Sequence, residues 1–258
     1  MRKALVAIGY TLGLPIILVF LWWLSTIIAP SFFIPKPSEL IEEFFSLWFG
    51  PRFWADVLPS LGRFAGGVAL AIVIGTLLGI LIGLNRTLRA LTEPIFEFFR
   101  ALPAPVLVPP LLLIIGPNDT MKVIVIFLGA VWPVLLNTVE GVRAADPVQS
   151  DTSRSYGISG LSRVRYQVLP SAAPQILTGV RQCLPIGLIL MVISEMFAPT
   201  GGLGAAIIRF QRTYAIPEMW SGILLLGIIG FLVAVIFRAV ERRILRWYYG
   251  LKDIENAV

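Results

Sequence analysis

Apolar residues in this chain fall into long runs. They show neither the alternation of half-buried strands nor the single stripe of a soluble helix. Runs of about 20 residues match the hydrocarbon thickness of a bilayer. Six such segments are predicted, at about 4–28, 61–84, 93–115, 122–142, 172–197 and 219–240. In lipid every backbone polar group must be satisfied internally, and barrel-type alternation is absent, so the segments are helices. The expected fold is an all-α integral membrane protein, a single bundle over residues 1–258.

The segments differ in character. The first follows Arg2 and Lys3, as in a signal peptide, but its apolar run is too long and lacks a small-x-small cleavage site, so it is read as a true helix. In the second, Gly75, Gly79 and Gly83 recur every four residues and form a stripe suited to close helix packing. The third contains Pro103, Pro105, Pro109 and Pro110 and cannot be a straight, regular helix. Two connecting segments on one side are long. In 29–59, Ser38 is a candidate N-cap for a helix with Leu40, Phe44 and Leu47 on one face. The segment 200–218 has a Gly-rich turn before a short amphipathic run. Either can be membrane-surface packing or a docking rim for an external partner.

Composition agrees with the pattern. Hydrophobic residues make up 57% and charged residues 14%, against about 25% charged in a soluble domain. The chain has no histidine, which excludes His-based metal sites and general bases. Cys183, the single cysteine, lies in an apolar run and reads as a packing residue. The formal charge of +6 does not call for nucleic acid, because membrane proteins place Lys and Arg toward the cytoplasm and anionic lipid. With both termini cytoplasmic, thirteen basic residues lie inside and six outside; Arg100 and Arg181, within spans, are left uncounted. The bias sets both termini, and the loop between spans four and five, on the cytoplasmic side.

That loop, about 146–170, is polar and punctuated. Val148, Thr152 and Tyr156 recur every four residues, as on one face of a short helix. Asp146 can cap its start, with Pro147 at the first helical position. Gly157 suits a left-handed residue that ends it. A second short helix places Leu161, Val164 and Val168 on one side and Arg163 and Arg165 on the other, and Pro170 is expected to break it before span five. The product is an elbow projecting from the membrane. It reads either as a connector or as an element that engages another protein.

The elbow resembles the signature loop of inner-membrane permease subunits of ABC importers: Glu-Ala-Ala, three residues, Gly, nine residues, an apolar residue, one residue, Leu-Pro. Here Asp151, Thr152 and Ser153 stand for the first three, Gly157 keeps its spacing, and Gln167 and Val168 precede Leu169 and Pro170. Gln167 replaces the usual apolar residue. FFIPKPSEL, LPSLGRFAGGVALAIVIGTLLGILIG, FFRALPAPVLVPPLLLIIG, SRSYGISG, VLPSAAPQILTGVR and ISEM followed by GGLG extend the likeness over almost the whole chain. They resemble the branch that carries sulfonates, taurine, nitrate and some vitamin precursors.

The resemblance implies a six-helix type I ABC importer permease in a bacterial inner membrane. It also implies a pore made with a second permease copy or paralogue, cytoplasmic ATPase subunits and an extracytoplasmic substrate-binding protein. The coupling element would comprise Asp151, Thr152, Ser153, Arg154, Ser155, Tyr156 and Gly157, with Leu169 and Pro170 as the joint into span five. The chain itself is then no enzyme. No G-x-x-x-x-G-K-[ST] occurs, and none of its four lysines follows a glycine. ATP and Mg are therefore assigned to the partner subunit. Three ionisable residues are candidates for a path or gate: Glu97 and Arg100, three apart on one helix face, and Glu195 in the outer half of span five. Two rivals stand beside this reading. One is a secondary transporter or channel, which would need a midplane acid relay. The other is a membrane enzyme, which would need a convergent nucleophile, acid pair or metal cluster.

Overall fold

The structure is a computed structural model that describes the backbone from Arg2 to Glu255 and side chains from 13 to 250. The basic side chains at positions 2, 3 and 252 lie outside the described residues. The described chain is helical and contains no strand. Its helices are α1 (Arg2–Ile28), α2 (Pro37–Trp48), α3 (Leu58–Leu84), α4 (Arg86–Ala101), α5 (Val108–Ile115), α6 (Asp119–Arg143), α7 (Pro147–Ser155), α8 (Gly160–Arg163), α9 (Leu169–Phe197), α10 (Leu203–Arg212), α11 (Ile216–Ile244) and α12 (Arg246–Glu255). The segments carrying α3, α6, α9 and α11 are long and apolar enough to cross a membrane.

The centre is a slab of three helices, with α6 between α3 and α9. Glycine sets their separation. A Cβ on Gly75, Gly79 or Gly83 would approach Val134, Thr138 and Val142 to 3.0, 2.5 and 2.8 Å. The four-residue stripe on α3 therefore meets a four-residue stripe on α6, and the backbones touch where Cβ atoms are missing. Gly179 does the same for α9, where a Cβ would sit 2.6 Å from the Pro133 carbonyl of α6. Ala71, Met121, Val125, Ile126, Val134 and Met191 fill the space between.

The tetrapeptide Val-Leu-Pro-Ser occurs twice, at 57–60 and 168–171. Each copy follows a π turn, Phe53–Val57 and Val164–Val168, closed by Leu58 N–H to Phe53 O and by Leu169 N–H to Val164 O. Proline lacks an N–H and its ring crowds the carbonyl four residues back. A wider turn just before it makes room without stopping the helix. Pro170 accordingly does not break the chain as expected, and α8 runs through its π turn into α9 as one stretch of 38 residues.

The third apolar segment is broken, as its prolines require. Leu102, before Pro103, is extended at φ −73° and ψ 123°, as a residue preceding proline prefers. The chain bends there by 88°. Beyond the bend, α5 has 8 residues, about 12 Å at 1.5 Å per residue, too short for a core of about 30 Å. Before it, α4 has no buried residue. Phe99 stacks on Trp132 of α6 at 5.8 Å and holds the arm to the slab.

A second cluster covers the slab at the end opposite the elbow. Helix α2 begins at Pro37 with Lys36 as its cap, not Ser38, because proline's fixed φ suits the first helical position. Trp48 of α2 packs on Leu203, Ile207 and Phe210 of α10 and donates Nε1–H to Ser221 of α11 at 3.0 Å.

The glycine seam makes Gly79→Leu an overpacking substitution, with an expected cost of about 1–3 kcal/mol. Gly227→Leu on α11, where nothing lies within 4 Å of an added Cβ, should be neutral. Thermal unfolding of the two variants in detergent checks the contrast.

Candidate functional site

The elbow is built as a rigid projection. Asp146 Oδ1 accepts the Val148 N–H at 2.8 Å, and Pro147 opens α7. The helix ends in a doubly bonded turn: Ile158 N–H to Ser153 O and Gly157 N–H to Arg154 O, both 2.9 Å. That pattern needs a left-handed residue, and Gly157 has φ +70°. Of the expected coupling residues, Ser153 is buried and anchors the helix, while Asp151, Thr152, Arg154, Ser155 and Tyr156 face outward. Asp151 and Arg154 form an exposed pair at 3.7 Å.

Apolar groups crown the elbow. Val148, Tyr156 and Leu161 are 71%, 79% and 83% exposed. Polar groups hold it from beneath. Buried Gln167 donates to Ser150 Oγ at 2.9 Å and accepts from Arg163 Nε at 3.1 Å. Ser171 donates to Gln149 at 3.2 Å. These bonds fasten α7 to the root of α9 beside Leu169 and Pro170. They explain an amide at position 167, which the loop pattern alone did not.

At the far end Glu195 is fully buried. Arg63 Nη1 donates to it at 2.6 Å, Ser60 Oγ at 2.8 Å and Gly204 N–H at 2.9 Å. Arg63 also grips Asp119 through Nε at 2.9 Å and Nη2 at 2.8 Å, and it reaches Gly201 O at 2.9 Å. Lys122, fully buried, donates to Thr200 Oγ1 at 2.8 Å. Two cations and two anions thus make a neutral knot joining α3, α6, α9 and the turn before α10. Gly202 belongs to that turn because φ is +112° and a Cβ would strike the Glu195 carboxylate. This arrangement clamps helix ends and contains no nucleophile–base pair. Within the bundle a second ion pair, Arg181 with buried Glu241, joins α9 to α11.

A groove of about 700 Å³ opens where the broken segment leaves the slab. Its walls include Phe99, Trp132 and Ile186, and its polar groups are Arg100, Asn137 and Gln182. Asn137 donates to Gln182 at 3.3 Å. Arg100 thus lines the groove, paired with Glu97 at 2.8 Å. Both sit on α4, before the 88° bend, and are exposed; such an exposed pair contributes at most about 1 kcal/mol. Glu195 is not among the groove's lining residues. Asn137 and Gln182 carry no charge and so are not reached from ionisable groups alone; their sequence signal is an uncharged amide deep in an apolar run.

Residues 71–246 match the family described as binding-protein-dependent transport system inner membrane component. The chain is 30% identical to the taurine transport system permease protein TauC of Escherichia coli, over 92% of this chain and 89% of that protein. It is 33% identical to the bicarbonate transport system permease protein CmpB of Synechococcus elongatus, over 75% and 70%. Among solved structures it is similar to a chain of the MetNI methionine ABC transporter in an inward-facing conformation, with TM-score 0.63 and 21% identity, over 75% of this chain and 98% of that one. It is also similar to a chain of an amino acid ABC transporter solved with histidines, with TM-score 0.57 and 18% identity, over 81% and 95%. At these identities the two structures establish a shared fold.

Neutralising Glu195 alone leaves Arg63 and Lys122 facing only Asp119. Glu195→Gln should lower stability by about 3–5 kcal/mol, the cost of a buried charge left without its partner. Adding Lys122→Met restores neutrality and should recover more than half of the loss. Unfolding midpoints of the single and double variants measure both effects; a double variant as unstable as the sum of its parts would contradict the balance.

Proposed function

We propose how a chain that belongs to the family of inner-membrane components of binding-protein-dependent transport systems does its work. It is a multi-pass permease subunit with the type I ABC importer fold. In our reading, two such subunits, identical or paralogous, enclose the pore. Cytoplasmic ATPase subunits hold ATP and Mg, and this chain performs no chemistry. An external binding protein delivers the solute to the end bearing the polar knot.

The observation that carries the reading is the elbow. Val148, Tyr156 and Leu161 stand almost free on a rigid turn, an unusual exposure for apolar side chains unless a partner covers them. Beneath them the α7–α9 hydrogen bonds make the elbow continuous with the longest helix of the slab. A push on α7 by a closing ATPase therefore reaches Leu169 and Pro170, and then the knot at the other end of α9. Two rigid arrangements of the slab, inward-open and outward-open, would be exchanged in this way.

The groove is the proposed path. Aromatic and aliphatic walls with a few fixed polar groups suit a small, partly hydrated solute. Asn137 and Gln182 offer neutral hydrogen bonds, and Arg100 offers the one cation among the lining residues. That set fits a small anionic or zwitterionic organic solute, the class to which taurine, the solute named for the relative TauC, belongs; bicarbonate, named for CmpB, is likewise a small anion. Glu195, fixed in the knot, would act on gating by holding the far end together and not by touching solute.

Coupling is tested at Gly157. A β-branched residue there costs about 1–2 kcal/mol in the left-handed region and no side chain blocks it, since nothing lies within 4 Å of an added Cβ. Gly157→Val should keep the protein in the membrane and reduce ATP-driven uptake or ATPase binding, whereas Gly157→Asn, tolerant of that conformation, should retain most of both. Normal uptake and ATPase association in Gly157→Val would remove the elbow from the mechanism.

Orientation has its own test. Cysteines placed at exposed Ser46 and Gln211 should react with an impermeant reagent in intact cells, and one at Ser162 only after permeabilisation. Native Cys183 is buried and should stay silent. Labelling of Ser162→Cys from outside would invert the topology.

A further inference from the structure

Four arginines converge at the elbow end of the slab, around a cup of about 360 Å³ between the ends of α3 and α6, the start of α4 and the elbow. They are Arg86, Arg89, Arg143 and Arg163, and Ser150 and Gln167 add hydrogen-bonding groups. None of the residues lining the cup is acidic. The charge is only partly met from nearby: Arg143 pairs with Glu140 at 2.7 Å, Arg89 reaches the Gly83 carbonyl at 3.5 Å, and Arg163 bonds neutral Gln167. Arg86 is exposed on the first turn of α4, where the helix dipole adds further positive potential. Guanidinium groups at this density repel one another unless an anion sits between them, and their forked donors match phosphate oxygens.

The rim adds a second feature. Leu84 borders the cup, and exposed Leu77 and Leu81 continue from it along one face of α3. A polar head in the cup would leave an apolar tail lying on that track.

We propose that the arginine cup binds a phosphate group, supplied either by an anionic phospholipid of the adjoining leaflet or by free phosphate. The bound group bridges the elbow, through Arg163, to the start of α4, through Arg86 and Arg89, and to the end of α6, through Arg143, and so sets the elbow's angle. The leaflet assigned here rests on the orientation given under Proposed function; binding by the detergent-solubilised chain does not depend on it.

The full chain is purified, mixed with phosphatidylglycerol or phosphatidylcholine, and examined by native mass spectrometry, with and without inorganic phosphate as competitor. Retention of phosphatidylglycerol over phosphatidylcholine is expected. Arg86→Gln/Arg89→Gln should weaken it about 30-fold, which is two losses of about 1 kcal/mol each. Arg86→Lys/Arg89→Lys, which keeps the charge but loses the forked donors, should weaken it less than the glutamine pair, and Arg243→Gln/Arg246→Gln, outside the cup, should leave it unchanged. Displacement by inorganic phosphate identifies free phosphate as a sufficient ligand; resistance to it identifies the lipid. Equal retention by the wild type and the Arg86→Gln/Arg89→Gln variant, or no phosphate-dependent binding at all, overturns the proposal. So does crosslinking of Arg86 and Arg163 to ATPase carboxylates in the assembled importer together with loss of lipid, because the occupant would then be protein.

Discussion

Everything in this fold depends on how closely α3, α6 and α9 approach. Inside a bilayer, burying apolar surface between helices gains little, since lipid tails are equally apolar. Cohesion must come from van der Waals contact, and that falls steeply with distance. Gly75, Gly79 and Gly83 on one side of α6, and Gly179 on the other, remove the Cβ atoms that would hold the backbones apart. The slab is therefore stiff because it is thin. Helices in such contact shift as a body, since sliding one past another would drive Val134 or Thr138 into a backbone. Stiffness is what a transmission element needs if movement at one membrane face is to be felt at the other.

Polar groups sit where that stiff body must be joined to something. At one end, Gln167, Ser150, Ser171 and Gln149 attach the elbow with neutral hydrogen bonds. At the other, Arg63, Asp119, Lys122 and Glu195 attach the turn before α10 with charges. The two kinds of fastening differ in consequence. A neutral hydrogen bond contributes about 1 kcal/mol net. Separating buried charges costs several kcal/mol, so the knot holds as a unit until a state in which water or a partner enters. The slab is thus fastened by neutral, half-exposed groups at the elbow and by charged groups in the interior at the other end.

Much of this was legible in the sequence. The apolar runs located α1, α3, α6, α9 and α11, the glycine period located the seam, and Asp146, Pro147 and Gly157 gave both ends of α7. What was illegible depended on three-dimensional partners. Pro170 reads as a helix breaker because the rule assumes α-helical turns around it. The π turn at 164–168 that accommodates it has no residue signature beyond the repeated Val-Leu-Pro-Ser. Glu97, Arg100 and Glu195 looked alike as ionisable residues near apolar runs. Only the 88° bend and the partners at Glu195 separate an exposed pair on an arm from a clamp in the interior. Arg63 and Lys122 entered the sequence reading as outward charges that fix topology; folded, they are buried parts of the knot.

The repeated tetrapeptide sharpens the contrast between the two ends. Helices α3 and α9 run in opposite directions, so the first copy begins a helix at the knot and the second leads into one at the elbow. In both, a π turn and a proline at the second helical position bring a serine three residues beyond the turn. Ser60 then donates to Glu195 and accepts the Leu203 N–H at 2.8 Å, and Ser171 donates to Gln149. The same local sequence thus makes the same local backbone, and what the serine meets decides its use. At the knot it meets a carboxylate and a backbone amide in the interior, and the join is fixed. At the elbow it meets a side-chain amide in a half-open setting, where water can replace either partner, and the join can give. Local chemistry supplies an equivalent helix start at each end of the slab; burial alone distinguishes what the two serines hold.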